Sequence, residues 1–109
     1  MNSLKKKFGA RVRELRKSLG FSQDKLADRI DWETSNLSNL ENGKCFLKSE
    51  NIEKFANALN VKVSDLFEFE HLQPKENLVN ELKIFIDSAD DADIRFLYKT
   101  IQNLKEYKK

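Results

Sequence analysis

Between positions 34 and 40 the chain reads Thr34-Ser35-Asn36-Leu37-Ser38-Asn39-Leu40. On a helix, Leu37 and Leu40 share one face, which turns Thr34, Ser35, Asn36, Ser38 and Asn39 outward. An ordinary solvated helix carries Lys and Glu on that side. Short amides and hydroxyls allow close approach instead, and between them they donate and accept hydrogen bonds. Those properties suit the edges of DNA bases in a groove. Recognition of nucleic acid is the chemistry these residues point to.

Several elements must hold that face in place, and the apolar pattern is helical throughout, with no strand-like alternation. Leu4, Phe8, Val12, Leu15 and Leu19 line one side of a first helix that stops at Gly20. Ser22 is placed to cap a second helix, with Leu26, Ala27 and Ile30 inward. Asp31 occupies a turn, Trp32 puts a large apolar side chain beneath it, and a third helix follows from Glu33 to Asn42, closing at Gly43. Ser49 is expected to cap a fourth helix with Ile52, Phe55, Ala56 and Leu59 inside, and Ser64 a short fifth to Phe67. Connections of this length match those of helical bundles. The single proline, Pro74, marks a boundary after His71-Leu72-Gln73. Beyond it, two more amphipathic segments are separated by Asp87-Ser88-Ala89-Asp90.

Composition narrows the function classes. With 109 residues the chain is long enough for one core and an appended element. No run approaches the roughly 18 apolar residues of a membrane span, and the charged N-terminus does not read as a signal peptide. A lone cysteine, Cys45, cannot form an internal disulfide. A soluble, reducing, cytoplasmic setting is expected. The net charge of +2 conceals a basic front, with Lys5, Lys6, Lys7, Arg11, Arg13, Arg16 and Lys17 against Glu14 alone. From Asp65 to Asp93 acids dominate, with only Lys75 and Lys83 opposing them. That asymmetry steers one face toward polyanions. No phosphate-binding glycine loop, nucleophile motif or metal-ligand spacing is present, so neither an enzyme nor a cofactor is expected. His71 and Cys45 read as incidental surface residues.

The order of parts from Arg11 to Phe67 resembles the Cro and phage-repressor (XRE-type) family of helix-turn-helix proteins. The resemblance is carried by RELRKSLGFSQDKLADRI, TSNLSNLENGK and NIEKFANALNVKVSDLF, and most specifically by Ser-Gln-x-x-Leu-Ala and Leu-Glu-Asn-Gly. It implies an all-α fold: a five-helix lambda-repressor-like DNA-binding domain over 1–70, with its helix-turn-helix at 22–41, and a two-helix extension over 75–109. It further implies that Thr34, Ser35, Asn39 and Glu33 face base edges, while Gln23, Asn36, Lys44 and Arg11 meet phosphates. Arg16 and Glu41 match the family's partly buried ion pair. Two positions depart from the family pattern. Asp31 stands where glycine is usual in a left-handed turn, and Glu33 stands where Ser or Thr usually caps the third helix. Near DNA, Glu33 repels phosphate unless it accepts from a cytosine amino group.

A single helix-turn-helix reads half a site, and dimers read two. The segment 75–109 is expected to make a homodimer through Leu82, Phe85, Ile94, Leu97, Tyr98, Ile101 and Leu104, because a helix pair cannot bury that much apolar area by itself. Packing against the chain's own core is the other use for that stripe. The expectation is a sequence-specific transcriptional regulator, a repressor on a palindromic operator in double-stranded DNA. A protein-holding adaptor of the antitoxin kind is the second reading.

Overall fold

The structure, a computed structural model, describes residues 3–108 and is all-helical over them, with no strand. The chain divides into two compact units, Met1–Leu72 and Gln73–Lys109.

The first unit begins with α1 (Leu4–Ser18), capped by Ser3, whose hydroxyl accepts from the Lys6 amide. The helices α2 (Gln23–Arg29), α3 (Thr34–Glu41) and α4 (Ser49–Ala58) follow, then two short 3-10 helices, Val63–Phe67 and Glu70–Leu72. All four α-helices end alike. A residue with positive φ follows the last turn: Gly20 (73°), Asp31 (56°), Gly43 (77°) and Asn60 (57°). The next amide then reaches back to the helix: Phe21 to the Arg16 carbonyl at 3.1 Å, Trp32 to Ala27 at 2.8 Å, Lys44 to Asn39 at 2.9 Å and Val61 to Ala56 at 3.0 Å. This closure satisfies carbonyls that a helix end otherwise leaves open, and it favours Gly or Asn at the turning residue. Asp31 adopts the left-handed conformation that the turn requires.

Two caps differ from expectation. Ser49 is the first helical residue of α4, and Lys48 stands at the cap without a side-chain bond. The segment after Val61 is a 3-10 helix beginning at Val63, one residue before Ser64. Asp65 rather than Ser64 organises it, accepting from the Lys62 amide at 2.9 Å. The Glu70–Leu72 turn had no signal in the apolar pattern.

Phe8, Val12, Leu26, Ala27, Ile30, Leu37, Leu40, Leu47, Phe55, Ala56, Leu59 and Leu66 make one buried core drawn from every helix of the unit except Glu70–Leu72. Burying each large side chain there is worth roughly 1.5–3 kcal/mol. Trp32 meets Phe55 edge-on at 5.0 Å, so the turn before α3 is anchored by an aromatic contact to α4. Phe8 likewise meets Phe46 at 4.9 Å.

The second unit comprises α5 (Lys75–Ser88) and α6 (Asp91–Tyr107). Pro74 precedes α5, and the Asp90 carboxylate caps α6 by accepting from the Asp93 amide at 2.9 Å. Neither helix has a buried residue. Leu82 (56% exposed), Phe85 (48%), Ile94 (37%), Tyr98 (65%), Ile101 (46%) and Leu104 (55%) lie open, while Leu97 is half-buried.

Candidate nucleic-acid interface

α3 is held at both ends. At its start, Glu33 takes the cap position with φ −76° and makes no side-chain cap bond. The first turn is tied to α2 instead, where the Thr34 hydroxyl donates to Asp24 Oδ1 at 2.6 Å. At its end, α1 crosses closely enough to require glycine. A Cβ on Gly9 would lie 2.3 Å from the Leu40 carbonyl oxygen and 2.8 Å from that of Glu41. A Cβ on Gly43 would meet Lys6 of α1 at 2.5 Å.

The same end carries a buried charge cluster. Arg16 donates Nε to Glu41 Oε2 at 2.7 Å and a second nitrogen to Oε1 at 3.0 Å, the parallel fork that guanidinium and carboxylate favour. Its remaining nitrogen donates to the Phe21 carbonyl at 2.8 Å. Glu41 Oε1 also accepts from Gln23 Nε2 at 3.1 Å and Arg13 Nε at 3.3 Å. Arg13 continues to Asn42 Oδ1 at 3.0 Å. The Glu41 side chain is fully buried. Burial pushes its carboxyl up, but hydrogen bonds from Arg16 and Gln23 and the Arg16 charge outweigh that and hold it below the ordinary range.

The side chains of Ser35, Asn36 and Asn39 are exposed and have no partner among the described residues. Glu33 and Lys44 are exposed too. Ser38 is half-buried and accepts from Asn42 Nδ2 at 3.4 Å. Gln23 uses one amide N–H on Glu41 and keeps the other. It therefore sits directly between the surface and the buried pair.

Arg11 does not join this group. Its Nε donates to the Asp65 carbonyl at 2.8 Å and another nitrogen to Glu14 at 2.6 Å, with Glu68 at 3.9 Å. Its side chain is only 12% exposed. The Asp65 carbonyl from the 3-10 helix Val63–Phe67, Glu68 just after it and Glu14 on α1 itself take up the guanidinium, so Arg11 clips that helix to α1. Glu14 also pairs with His71 Nε2, at 2.8 and 2.9 Å, which gives His71 a role in seating Glu70–Leu72. Burial raises the Glu14 carboxyl, and the bonds from His71 and Arg11 bring it below the usual value.

Gly9 and Asp24 carry no signal in the apolar and polar patterns, and Arg13 stands there only as one of the basic front. Gly9 stands mid-helix, where glycine is normally costly, and that cost was the available signal. Among the described residues no cluster of His, Cys, Asp or Glu is arranged to hold a metal ion, and no helix is long and apolar enough to cross a membrane.

With this geometry in place, comparisons with known proteins identify the class. A family profile described as a helix-turn-helix domain matches residues 9–68. The control protein C.MunI of a Mycoplasma species is 37% identical over 68 residues, covering 62% of this chain and 92% of that protein. A competence pilus inhibition repressor of Acinetobacter baylyi is 39% identical over 79 residues, covering 72% of this chain and 67% of the repressor. The crystal structure of the restriction-modification controller protein C.AhdI from Aeromonas hydrophila matches with a TM-score of 0.55 at 39% identity, over 57% of this chain and 94% of that one. The chain belongs to the helix-turn-helix family. It is a DNA-binding transcriptional regulator.

Proposed function

We propose that the protein is a cytoplasmic repressor that occupies a palindromic operator as a homodimer, with α3 of each copy in the major groove. The observation that carries this reading is the outward face of α3, where Ser35, Asn36 and Asn39 are exposed and free of side-chain partners. A helix held by Gly9 at one end and Asp24 at the other presents that face rigidly.

Asn39 pairs with adenine through its amide, Ser35 donates or accepts, and Glu33 accepts from a cytosine amino group. Asn36, Lys44 and the unused N–H of Gln23 meet phosphates, which set register. Dimerisation falls to the exposed stripe of α5 and α6, formed by Leu82, Phe85, Ile94, Leu97, Tyr98, Ile101 and Leu104. Two half-sites then lie about one helical turn apart, roughly 34–36 Å.

Binding of the full chain to duplex DNA as a function of salt tests the reading. Six to ten phosphate contacts lower affinity by about 10³–10⁵ between 50 and 200 mM salt. A second reading, in which α5 and α6 hold a different protein, is favoured by the same exposed apolar stripe with its acidic flanks. It predicts sedimentation of the chain alone as a monomer.

A further inference from the structure

Thr34 and Ser35 stand side by side at the start of α3, and both carry a hydroxyl, yet their surroundings differ. Ser35 is exposed and its hydroxyl has no partner among the described residues. Thr34 is half-buried and its hydroxyl donates to Asp24 Oδ1 on α2 at 2.6 Å. That length is typical of a hydroxyl bound to an ionised carboxylate, among the stronger protein hydrogen bonds. A hydroxyl has one proton and two acceptor lone pairs. With its proton committed to Asp24, Thr34 has only lone pairs left for a third group.

We propose that Asp24 sets the hydrogen-bond polarity of Thr34, making it an acceptor that reads an exocyclic amino group on adenine or cytosine. The inference rests on the reading of α3 as the base-contacting helix and adds to it a positioning residue on α2. In the major groove, adenine N6 and cytosine N4 are donors, whereas guanine O6 and N7 and thymine O4 are acceptors. An acceptor-only threonine faces a keto base with two acceptors opposed and neither satisfied, which is the costly arrangement. Ser35, free to rotate, carries no such bias. Asp24 itself need not touch a base, and a carboxylate placed near phosphates weakens rather than strengthens overall binding. Its effect is therefore on which base is chosen.

Selection of bound sequences from a random duplex pool, with full-length wild type, Asp24→Ala, Thr34→Val, Thr34→Ser and the double variant Asp24→Ala/Thr34→Val, tests this. Asp24 is exposed, so its removal leaves the core intact, and thermal unfolding followed by circular dichroism checks each variant. The position altered by Thr34→Val is the one that Thr34 faces. There the wild type and Thr34→Ser favour A or C over G or T on the contacted strand by roughly fivefold to tenfold, the worth of one hydrogen bond. Asp24→Ala reduces that ratio to within about twofold, and it changes nothing further in the Thr34→Val background, as expected when one residue acts through the other. The proposal is overturned if Asp24→Ala keeps the wild-type ratio, if it shifts the Thr34→Val protein equally, or if Thr34→Val alters no position. Changed consensus positions in Ser35→Ala and Asn39→Ala would then leave base reading by α3 standing. If those two are also silent, the reading of α3 itself fails.

Discussion

Arg16 of α1 and Glu41 of α3 are joined by two parallel hydrogen bonds of 2.7 and 3.0 Å in a site where the Glu41 side chain is fully buried. Gln23, at the start of α2, donates into the same carboxylate at 3.1 Å. One anion thus pins the end of α3 to the two helices that precede it. Removing Arg16 leaves that anion buried with only Arg13 and Gln23 as donors. Arg16→Leu is expected to destabilise the protein by about 3–5 kcal/mol, whereas Arg16→Leu combined with Glu41→Leu recovers most of the loss. Urea unfolding of the full chain measures both.

The same carboxylate governs acid stability. Its folded value lies below the ordinary one, so the unfolded chain binds more protons in the acidic range. Its contribution is fully present above the unfolded glutamate value of about 4.3 and is lost as pH falls through the lower folded value. Glu14, depressed by His71 and Arg11, adds in the same direction. Unfolding midpoints are expected to drop steeply below about pH 4, and less steeply in Glu41→Gln, which starts from lower stability at neutral pH.

Much of this arrangement is legible in the sequence. The helical order, the polar outer face of α3 and the Gly20 and Gly43 closures follow from residue type and spacing, because apolar period and turn chemistry act locally. The left-handed Asp31 and the uncapped Glu33 could also be read, since each is the wrong residue for an obvious place. What stayed hidden depends on contacts between elements distant in sequence. Arg11 is basic and near the front of the chain, yet its Nε is taken by the Asp65 carbonyl 54 residues away. Asp24 and Thr34 are ten residues apart on different helices, and only the turn brings them to 2.6 Å. Ser49 and Ser64 looked like caps by type, but the neighbouring backbone starts each helix elsewhere.

Gly9 gives a sharp contrast with Gly20. A Cβ at Gly9 strikes backbone carbonyl oxygens at 2.3 and 2.8 Å, which no rotamer change relieves, while one at Gly20 meets nothing within 4 Å. Gly20→Ala is expected to cost about 1 kcal/mol through its φ of 73° alone. Gly9→Ala is expected to cost about 3 kcal/mol or more and to displace α3, so that DNA affinity falls along with stability. Chemical denaturation and duplex binding on the same samples separate the two.

The exposed stripe of α6 predicts oligomeric state. Leu97→Asp with Ile101→Asp places two charges among Ile94, Tyr98 and Leu104, and the double variant is expected to sediment as a monomer. Phe96 lies off that stripe and is 71% exposed, so Phe96→Ser is expected to remain a dimer. A double variant that still dimerises at low micromolar concentration would remove α6 from the interface.

Along α3 and the turn that follows it, phosphate and base contacts are expected to separate cleanly. Lys44→Ala weakens binding to all sequences alike and lowers the salt slope by about 0.9. Asn39→Ala costs about 1–3 kcal/mol on the operator and far less on unrelated duplex. Titrations at several salt concentrations report both quantities.

Base reading by a paired α3 is tested most directly by selecting bound sequences from a random duplex pool with the full chain. The expected result is an inverted repeat with half-site centres about 10–10.5 base pairs apart, whose consensus changes under Asn39→Ala and Ser35→Ala. Recovery of unenriched sequence, or of a consensus that both substitutions leave unaltered, would contradict it.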